Sequence, residues 1–489
     1  MNRKIAFYKM IKSGLHGRVI NTLRNLYSKT SIRIKDKGKL SEKILQQVGV
    51  NQGGNASPMI FRKYMEDLYE YMLKHTGVAL SEEELLAYLL WADDLICASG
   101  KVTDAQKQLD GLSVFCSKNR SLVNTIKTKY MVFGNIGNFK LYFNGCEIKR
   151  VDKYKYVGNI VKEIHRAPSD PFASNYEFLC NKARGNIFSL LSKLKNAAPV
   201  KPKLRIHLFD KVIRPVLTYG SGVWGVSEPG RKQMDKIHLW YMRMILGIKK
   251  NSSVLITLGE SGSLPPSTNI ITNCINYAIR INNAPRDTLI SQAHHESKRL
   301  HSMGFTTWYT KLHKLVQEYG IILDNNPNKN DVKQIVYNKF THDWKTAIMD
   351  IDKHPLLRTY THIKTEFKIE PFLVLVGDAR YRTAMARFRS SSHNLEIERG
   401  RHTRPITPIQ NRLCTNCNTI DNEIHFLTEC KSLEAERVLL YQQILQKFPD
   451  FSYLDNFCKF QFMLTFHDKD LLNLVAKFIF AGLERRRIE

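Results

Sequence analysis

Trp91-Ala92-Asp93-Asp94 sets two adjacent carboxylates between two apolar, strand-length runs, residues 85–91 and 95–98. Strands of that kind exclude charge unless it has a task, because a buried carboxylate without a partner is costly. At the tip of a tight hairpin the pair would hold a hard cation such as Mg²⁺, which prefers a few carboxylates plus substrate phosphate oxygens. Two such ions form the clamp for in-line nucleotidyl transfer. An ordinary polar turn accounts for the pair equally well, since Asp is a turn former. Upstream, Gln52-Gly53-Gly54-Asn55-Ala56-Ser57-Pro58 precedes a helical stretch. Its glycines would let backbone approach a nucleotide or a template base; a plain loop before a helix is the alternative. Near the other end, Cys414-x2-Cys417-x7-His425-x4-Cys430 has the spacing of a tetrahedral Zn²⁺ site. Free thiols beside a core histidine are the competing explanation. Four protein ligands leave no open position, so such a site would be structural.

The elements that must position these residues follow from periodicity. Apolar spacing predicts helices over 5–27, 58–75 and 103–118, with Ser57 as cap and Pro58 near the start of the second. Short strands are expected over 31–34, 39–47, 130–133, 141–143 and 156–157, and Asn144-Gly145 is a hairpin signal. Glu66 and Asp67 are expected on a solvated helix face. Beyond about residue 165 helical spacing takes over. The chain thus reads as α+β followed by helices.

Charge narrows the partners. The 489 residues carry 74 Lys and Arg against 45 Asp and Glu, a net +29. Such an excess favours a polyanion, because neutralising phosphates releases counterions. Residues 181–250 alone hold fifteen Lys or Arg and three Asp or Glu, with Lys193, Lys195, Lys201 and Lys203 among them. A solvated basic face is the alternative for any one of these lysines. Tyr219 and Trp224 are expected in the core. Residues 378–412 contain arginine without lysine, including Arg399 and Arg401. Arginine's planar fork suits phosphate and stacked bases, although Glu396 and Glu398 offer partners within the chain. No run is long and apolar enough for a membrane span. The basic N-terminal segment resembles a transit peptide, but it runs without a cleavage-like break into strand 31–34. Nine mostly scattered cysteines suit a reduced setting, so an intracellular protein of nucleus or cytoplasm, not secreted, is expected.

Taken in order, these motifs resemble the reverse transcriptases of non-LTR retrotransposons, of the LINE or jockey-like type. Gln52, Gly53, Ser57 and Pro58 match a Gln-Gly-x-x-x-Ser-Pro template motif, and 91–94 match aromatic-Ala-Asp-Asp, with Trp91 where Tyr or Phe is usual. Asn124-x-x-Lys127 looks like the next palm motif, and Tyr154-Lys155-Tyr156-Val157-Gly158 looks like the primer-grip strand. Residues 213–220 and 224–225 continue the likeness, as does the Cys/His element. The resemblance implies a partial right-hand polymerase palm, an antiparallel sheet with packed helices, over 1–165. It further implies a basic helical thumb over 166–262, a helical connector over 263–378, and an Arg-rich segment with a zinc knuckle and terminal helices over 379–489. It implies RNA-templated DNA synthesis from dNTPs with Mg²⁺, on an RNA template with an RNA–DNA hybrid or DNA primer. In it Asp93 and Asp94 are metal ligands, Lys127 assists the leaving pyrophosphate, and Gln52, Gly53, Ser57, Pro58, Trp91, Tyr156 and Gly158 contact template, nucleotide or primer. The family's first catalytic Asp would lie just before Met1, so the chain is expected to be N-terminally truncated, without fingers or endonuclease, and inactive alone. A non-catalytic or domesticated nucleic-acid-binding remnant is the rival expectation.

Overall fold

A computed structural model describes the chain except residues 73–75, 81–83, 166–169, 196–199 and 489. It divides into two compact units, 1–175 with 284–307, and 176–283 with 308–489.

The first unit mixes helix and sheet. The expected helix over 5–27 is two helices, α1 (Arg3–Lys12) and α2 (Gly17–Ser28). The apolar spacing runs through both, but Ser13 ends the first and Gly14, at φ +83°, takes the left-handed position that a side chain would resist. His16 then caps α2, its ring accepting from the Arg18 N–H. Strands β1 (Ser31–Ile32), β2 (Lys35–Asp36), β3 (Lys39–Leu40) and β4 (Ile44–Leu45) pair β1 with β4 and β2 with β3, so the stretches expected as strands over 31–34 and 39–47 form one interrupted hairpin.

The helix expected over 58–75 is α3 (Ser57–Met65) and α4 (Leu68–Tyr71), and residues 73–75 lie outside the described part. The break falls at Glu66-Asp67. Asp67 is not a solvated face residue: it pairs with Lys9 of α1, whose ammonium also donates to the Tyr64 carbonyl at 2.7 Å. Strands β5 (Val78–Ala79) and β6 (Leu85–Leu86) form one ladder, and β7 (Tyr88–Trp91) and β8 (Asp94–Cys97) the next. Helix α5 (Val102–Asn119) lies against α4 and the strand β10 (Leu141–Phe143). The strand β9 (Lys129–Tyr130) is shorter than expected; it runs parallel to β11 (Cys146–Arg150), which pairs antiparallel with β10 across Asn144-Gly145. Both turn residues have positive φ, as a two-residue hairpin loop requires. Strands β12 (Lys153–Tyr156) and β13 (Asn159–Lys162) close a further hairpin, with Val157 in its turn and not in a strand.

Among the described residues two apolar clusters hold the unit. One joins α1, α2 and α3 through Phe7, Met10, Ile20, Leu23 and Ile60. The other joins α4, α5, β10 and β11 through Leu68, Leu112, Phe115, Phe143 and Ile148, with Tyr88, Leu90 and Leu95 of the 88–97 hairpin packed against it. Burial on one side fixes the register, since a one-residue slip would turn these side chains outward.

The second unit is helical. It opens within α6 (Ala173–Lys195) and continues through α7 (Pro202–Leu208), a π turn over Phe209–Ile213, α8 (Arg214–Leu217), α9 (Ser221–Trp224), α10 (Glu228–Leu246), α11 (Val254–Ser261) and α12 (Pro266–Asn282). Helix α13 (Leu289–Ser302) belongs to the first unit. The second resumes with α14 (Trp308–Glu318), α15 (Lys329–Met349), α16 (Phe372–Leu375), α17 (Ala379–Arg389), α18 (Glu396–Arg399), α19 (Glu423–Thr428), α20 (Glu434–Lys447), α21 (Asn456–Thr465) and α22 (Lys469–Ile488). Its core includes Trp344, Tyr360, Phe388, Phe426, Val475 and Ile479. Trp224 is buried as expected, with its indole N–H on the Tyr219 carbonyl at 2.8 Å. Tyr219 itself is 47% exposed, against expectation. Among the described residues no helix is long and apolar enough to cross a membrane.

Candidate functional site

The two carboxylates stand where the sequence put them. Trp91 pairs with Asp94 across the β7–β8 ladder, which leaves Ala92 and Asp93 as a two-residue turn. Ala92 has φ +53°, a region where a Cβ is strained. Asp93 and Asp94 are exposed, and among the described residues neither side chain has an ion pair or hydrogen bond. Trp91 is 68% exposed.

The primer-grip-like hairpin is brought to this edge. Burial raises the Tyr156 phenol, and the negative charge of Asp94 raises it further, so the two groups are electrostatic neighbours. The Tyr154 hydroxyl donates to the Lys127 carbonyl at 3.4 Å, which joins the exposed 124–127 turn to the same hairpin. The tip residues Val157 and Gly158 sit at φ +42° and +83°. For the β-branched Val157 this is a costly conformation.

The 52–58 segment is built differently from the expectation. Helix α3 is capped at Ala56 without a side-chain bond, so Ser57 is not its cap. The Ser57 hydroxyl lies inside, 2.6 Å from the Asn51 carbonyl and 3.2 Å from the Tyr27 hydroxyl, and pins the loop to α2. Pro58 occupies the first turn, where its missing N–H has no cost. Gly53, at φ +83° with open space around its α-carbon, and Gln52 are exposed. Among the described residues no hydrogen bond joins either to the 91–94 turn.

In the second unit Lys193 and Lys195 lie exposed at the end of α6, and Lys201 and Lys203 at the start of α7. The arginine-rich segment is largely committed to the fold. Arg389 is 1% exposed and forked onto Glu260 at 2.9 and 3.0 Å, with Glu370 at 2.8 Å. Arg412 donates to the carbonyls of Thr407 and Ile397. Arg399 stays 64% exposed beside Glu396, and Arg401 faces Glu398 at 3.6 Å.

The Cys/His residues converge. The ligand atoms of Cys414, Cys417, His425 and Cys430 all lie within 4.8 Å of one another. Leu413 and Ile420 bridge the strands of a small knuckle, and Asn418, at φ +53°, turns the chain between them. Helix α19 then carries His425 inward. The Cys414 and Cys430 sulfurs are 3.9 Å apart. A tetrahedral ion with Zn–S of about 2.3 Å requires about 3.8 Å between sulfurs. His425 Nε2 is buried without a hydrogen-bond partner, while Nδ1 faces the Thr419 hydroxyl at 3.1 Å. That is the arrangement of a ligating imidazole oriented through its other nitrogen. Burial raises the Cys430 thiol, but His425, Ser432 and the charge of Arg486 outweigh it and bring it down to about 6. Burial lowers His425, and the neighbouring thiolates outweigh that and push it up to about 9. Three thiolates and an imidazole fit a tetrahedral metal with no open position.

Sequence reasoning missed Arg486, whose guanidinium reaches Cys414 and Cys430 from α22, and the Lys9–Asp67 pair. A lone basic residue near a chain end carries no signal of such a contact.

Residues 4–161 match the family model described as reverse transcriptase (RNA-dependent DNA polymerase). A transposon-derived protein of Caenorhabditis elegans is 28% identical over 174 residues, 33% of this chain and 57% of that protein. The retrovirus-related Pol polyprotein from the type-1 retrotransposable element R2 of Popillia japonica is 24% identical over 214 residues, 43% of this chain and 29% of the relative. That from the type-2 element R2DM of Drosophila melanogaster is 24% identical over 240 residues, 47% and 21%. The chain thus spans from about a fifth to just over half the length of these relatives.

Proposed function

We propose, from the reverse transcriptase domain of the non-LTR retrotransposon kind that residues 4–161 carry, that this chain binds an RNA template with its hybrid or DNA primer and holds part of a catalytic metal site. The chain by itself is proposed to leave primers unextended. One observation carries the reading. Asp93 and Asp94 stand side by side, exposed and unpaired, yet among the described residues no third His, Cys, Asp or Glu joins them within metal-ligating range. Asp67, a spare acid of the early part of the unit, is taken by Lys9.

In this reading the division is palm over 1–165, thumb over 166–262, connector over 263–378 and knuckle segment over 379–489. Asp93 is the metal ligand and Asp94 its partner. Mg²⁺ supplies the charge that activates a primer hydroxyl and steadies the leaving pyrophosphate. Gln52 and Gly53 meet template base and incoming dNTP, with Ser57 and Pro58 holding their loop. Tyr156, Gly158 and Trp91 border the primer end, and Lys127 serves the pyrophosphate. Lys193, Lys195, Lys201 and Lys203 grip phosphates without reading sequence, and Arg399 and Arg401 add contacts near the knuckle. Cys414, Cys417, His425 and Cys430 hold structural Zn²⁺.

The test is primer extension on an RNA template with Mg²⁺. The expected result is background extension, indistinguishable from Asp93→Ala, beside retained binding of the hybrid. Robust extension abolished by Asp93→Ala would overturn the inactive reading and call for another acid at the site.

A further inference from the structure

One side chain ties the Cys/His centre to the end of the chain. Arg486 lies in the last turns of α22, and its side chain is 9% exposed. Its Nη2 is 2.9 Å from Cys414 Sγ and 3.1 Å from Cys430 Sγ. Asp421 Oδ1 is farther, at 3.3 Å, and the other Asp421 oxygen accepts from the Glu396 N–H at 2.9 Å. The guanidinium is thus directed at the sulfurs first. Three thiolates and a neutral imidazole around a divalent cation leave one negative charge. Cys414 and Cys430 are 1% and 0% exposed, so water does little to offset it. A buried charge of this kind calls for a hydrogen-bonded counter-charge. Hydrogen bonds to ligand atoms also fix their direction.

We propose that Arg486 is the outer-sphere counter-charge of the Cys414 and Cys430 thiolates, so that metal loading and docking of the last turns of α22 form one coupled event. The proposal rests on reading the four Cys/His residues as a metal centre. The body of α22 does not depend on it. Leu471, Leu472, Val475, Ala476 and Ile479 are buried in the apolar core, and a Cβ at Gly482 would already meet Phe426 at 2.6 Å. Beyond Gly482, Arg485 holds Glu436 and the Ser432 carbonyl near the knuckle. Metal removal should therefore fray the end of the helix and leave its body intact.

The experiment uses the full chain and Zn²⁺ itself. Zinc affinity is measured by chelator competition, and amide exchange is followed along α22 with and without metal. The expected result is one Zn²⁺ per chain in the wild type and about 10- to 100-fold weaker binding in Arg486→Gln at unchanged stoichiometry. Exchange at the helix end should rise in Arg486→Gln to the level of metal-stripped wild type, while amides near Val475 stay protected. Arg486→Lys, which keeps the charge, should recover part of the affinity. Unchanged affinity and unchanged protection in Arg486→Gln, with one zinc still bound, would overturn the coupling and leave the metal centre standing. A wild-type chain without zinc would overturn the metal centre and the coupling with it. The metal-stripped wild type supplies the comparison should a variant fold poorly.

Discussion

At the tip of the 88–97 hairpin, Ala92 holds φ +53°, and at the tip of the 153–162 hairpin Val157 holds φ +42°. Each side chain pays a conformational cost that Gly would avoid. Both strained turns adjoin proposed site residues, Asp93 and Asp94 at one and Tyr156 at the other, and the negative charge of Asp94 helps raise the Tyr156 phenol. Strain at such places is a reservoir that the packed strands behind must hold. Val157→Gly should therefore stabilise the chain by roughly 1 kcal/mol, the relieved strain exceeding the entropy that Gly adds to the unfolded state. The denaturant midpoint should rise with unchanged slope, and a fall would show that the Val157 side chain contributes more by packing than it loses by strain. The acidic tip was legible because a two-residue turn is a local event: adjacent strand-length runs and turn-forming residues suffice to read it. Ser57 was misread because its hydroxyl answers to Asn51 and Tyr27 in three dimensions and not to the helix that follows it. Arg486 was invisible because its partner Cys414 lies 72 positions away.

Among elements, the long periodic helices were legible, and α5 lies within a residue of its expected bounds. Breaks inside continuous apolar spacing were not, because α1–α2 turns on Ser13-Gly14 and α3–α4 on a pair between Asp67 and Lys9. The convergence of Cys414, Cys417, His425 and Cys430 was legible from spacing alone, because one short segment carries all four. Its prediction follows from the same economy: a motif of one short bridge and α19 has little core of its own, so metal must contribute much of its order. Reduced, freshly purified protein should hold one Zn²⁺, and Cys417→Ser or chelation should lose it and unfold the segment locally. Metal analysis showing none would end that idea. Helix α10 makes a separate prediction. Burial raises the Asp235 carboxyl to about 6, against the pull of the Ser267 N–H and of Arg214 and Arg231. A carboxyl raised in the folded state is held protonated there, so stability falls as pH rises from its unfolded value, near 3.8, through about 6. The loss is at most roughly 3 kcal/mol. Asp235→Asn keeps an acceptor for Ser267 and should raise Tm more at about pH 7.5 than at about pH 4.5. An equal shift at both would mean that Asp235 does not titrate in this window.

For the whole molecule the governing quantity is charge. A net +29 on 489 residues exceeds what solubility asks of a protein this size, and residues 181–250 stand out with fifteen Lys or Arg against three Asp or Glu. Two kinds of basic side chain must be told apart. Arg389, Arg412 and Arg214 are buried and spent on Glu260, on main-chain carbonyls and on Asp210, so they hold the fold and have nothing left for a partner. Lys193, Lys195, Lys201 and Lys203 are exposed where α6 ends and α7 begins, and among the described residues none forms an ion pair. Lysines without acids beside them keep their full field for phosphate. Binding to an RNA–DNA hybrid should therefore show little sequence preference and a steep fall with salt, because each phosphate contact releases condensed counterions. Replacing the four lysines together with Gln should flatten the slope of log K against log salt by up to about 3.6, at roughly 0.7–0.9 for each lost contact. Thermal stability should change little, since the four side chains are exposed and their one recorded bond among the described residues is the long one from Lys201 to the Val374 carbonyl, at 3.4 Å. Replacing the buried Arg389 instead should unfold the chain without informing on binding. An unchanged slope in the fourfold variant, with folding intact, would mean that these lysines do not touch phosphate and that the nucleic acid lies on another face.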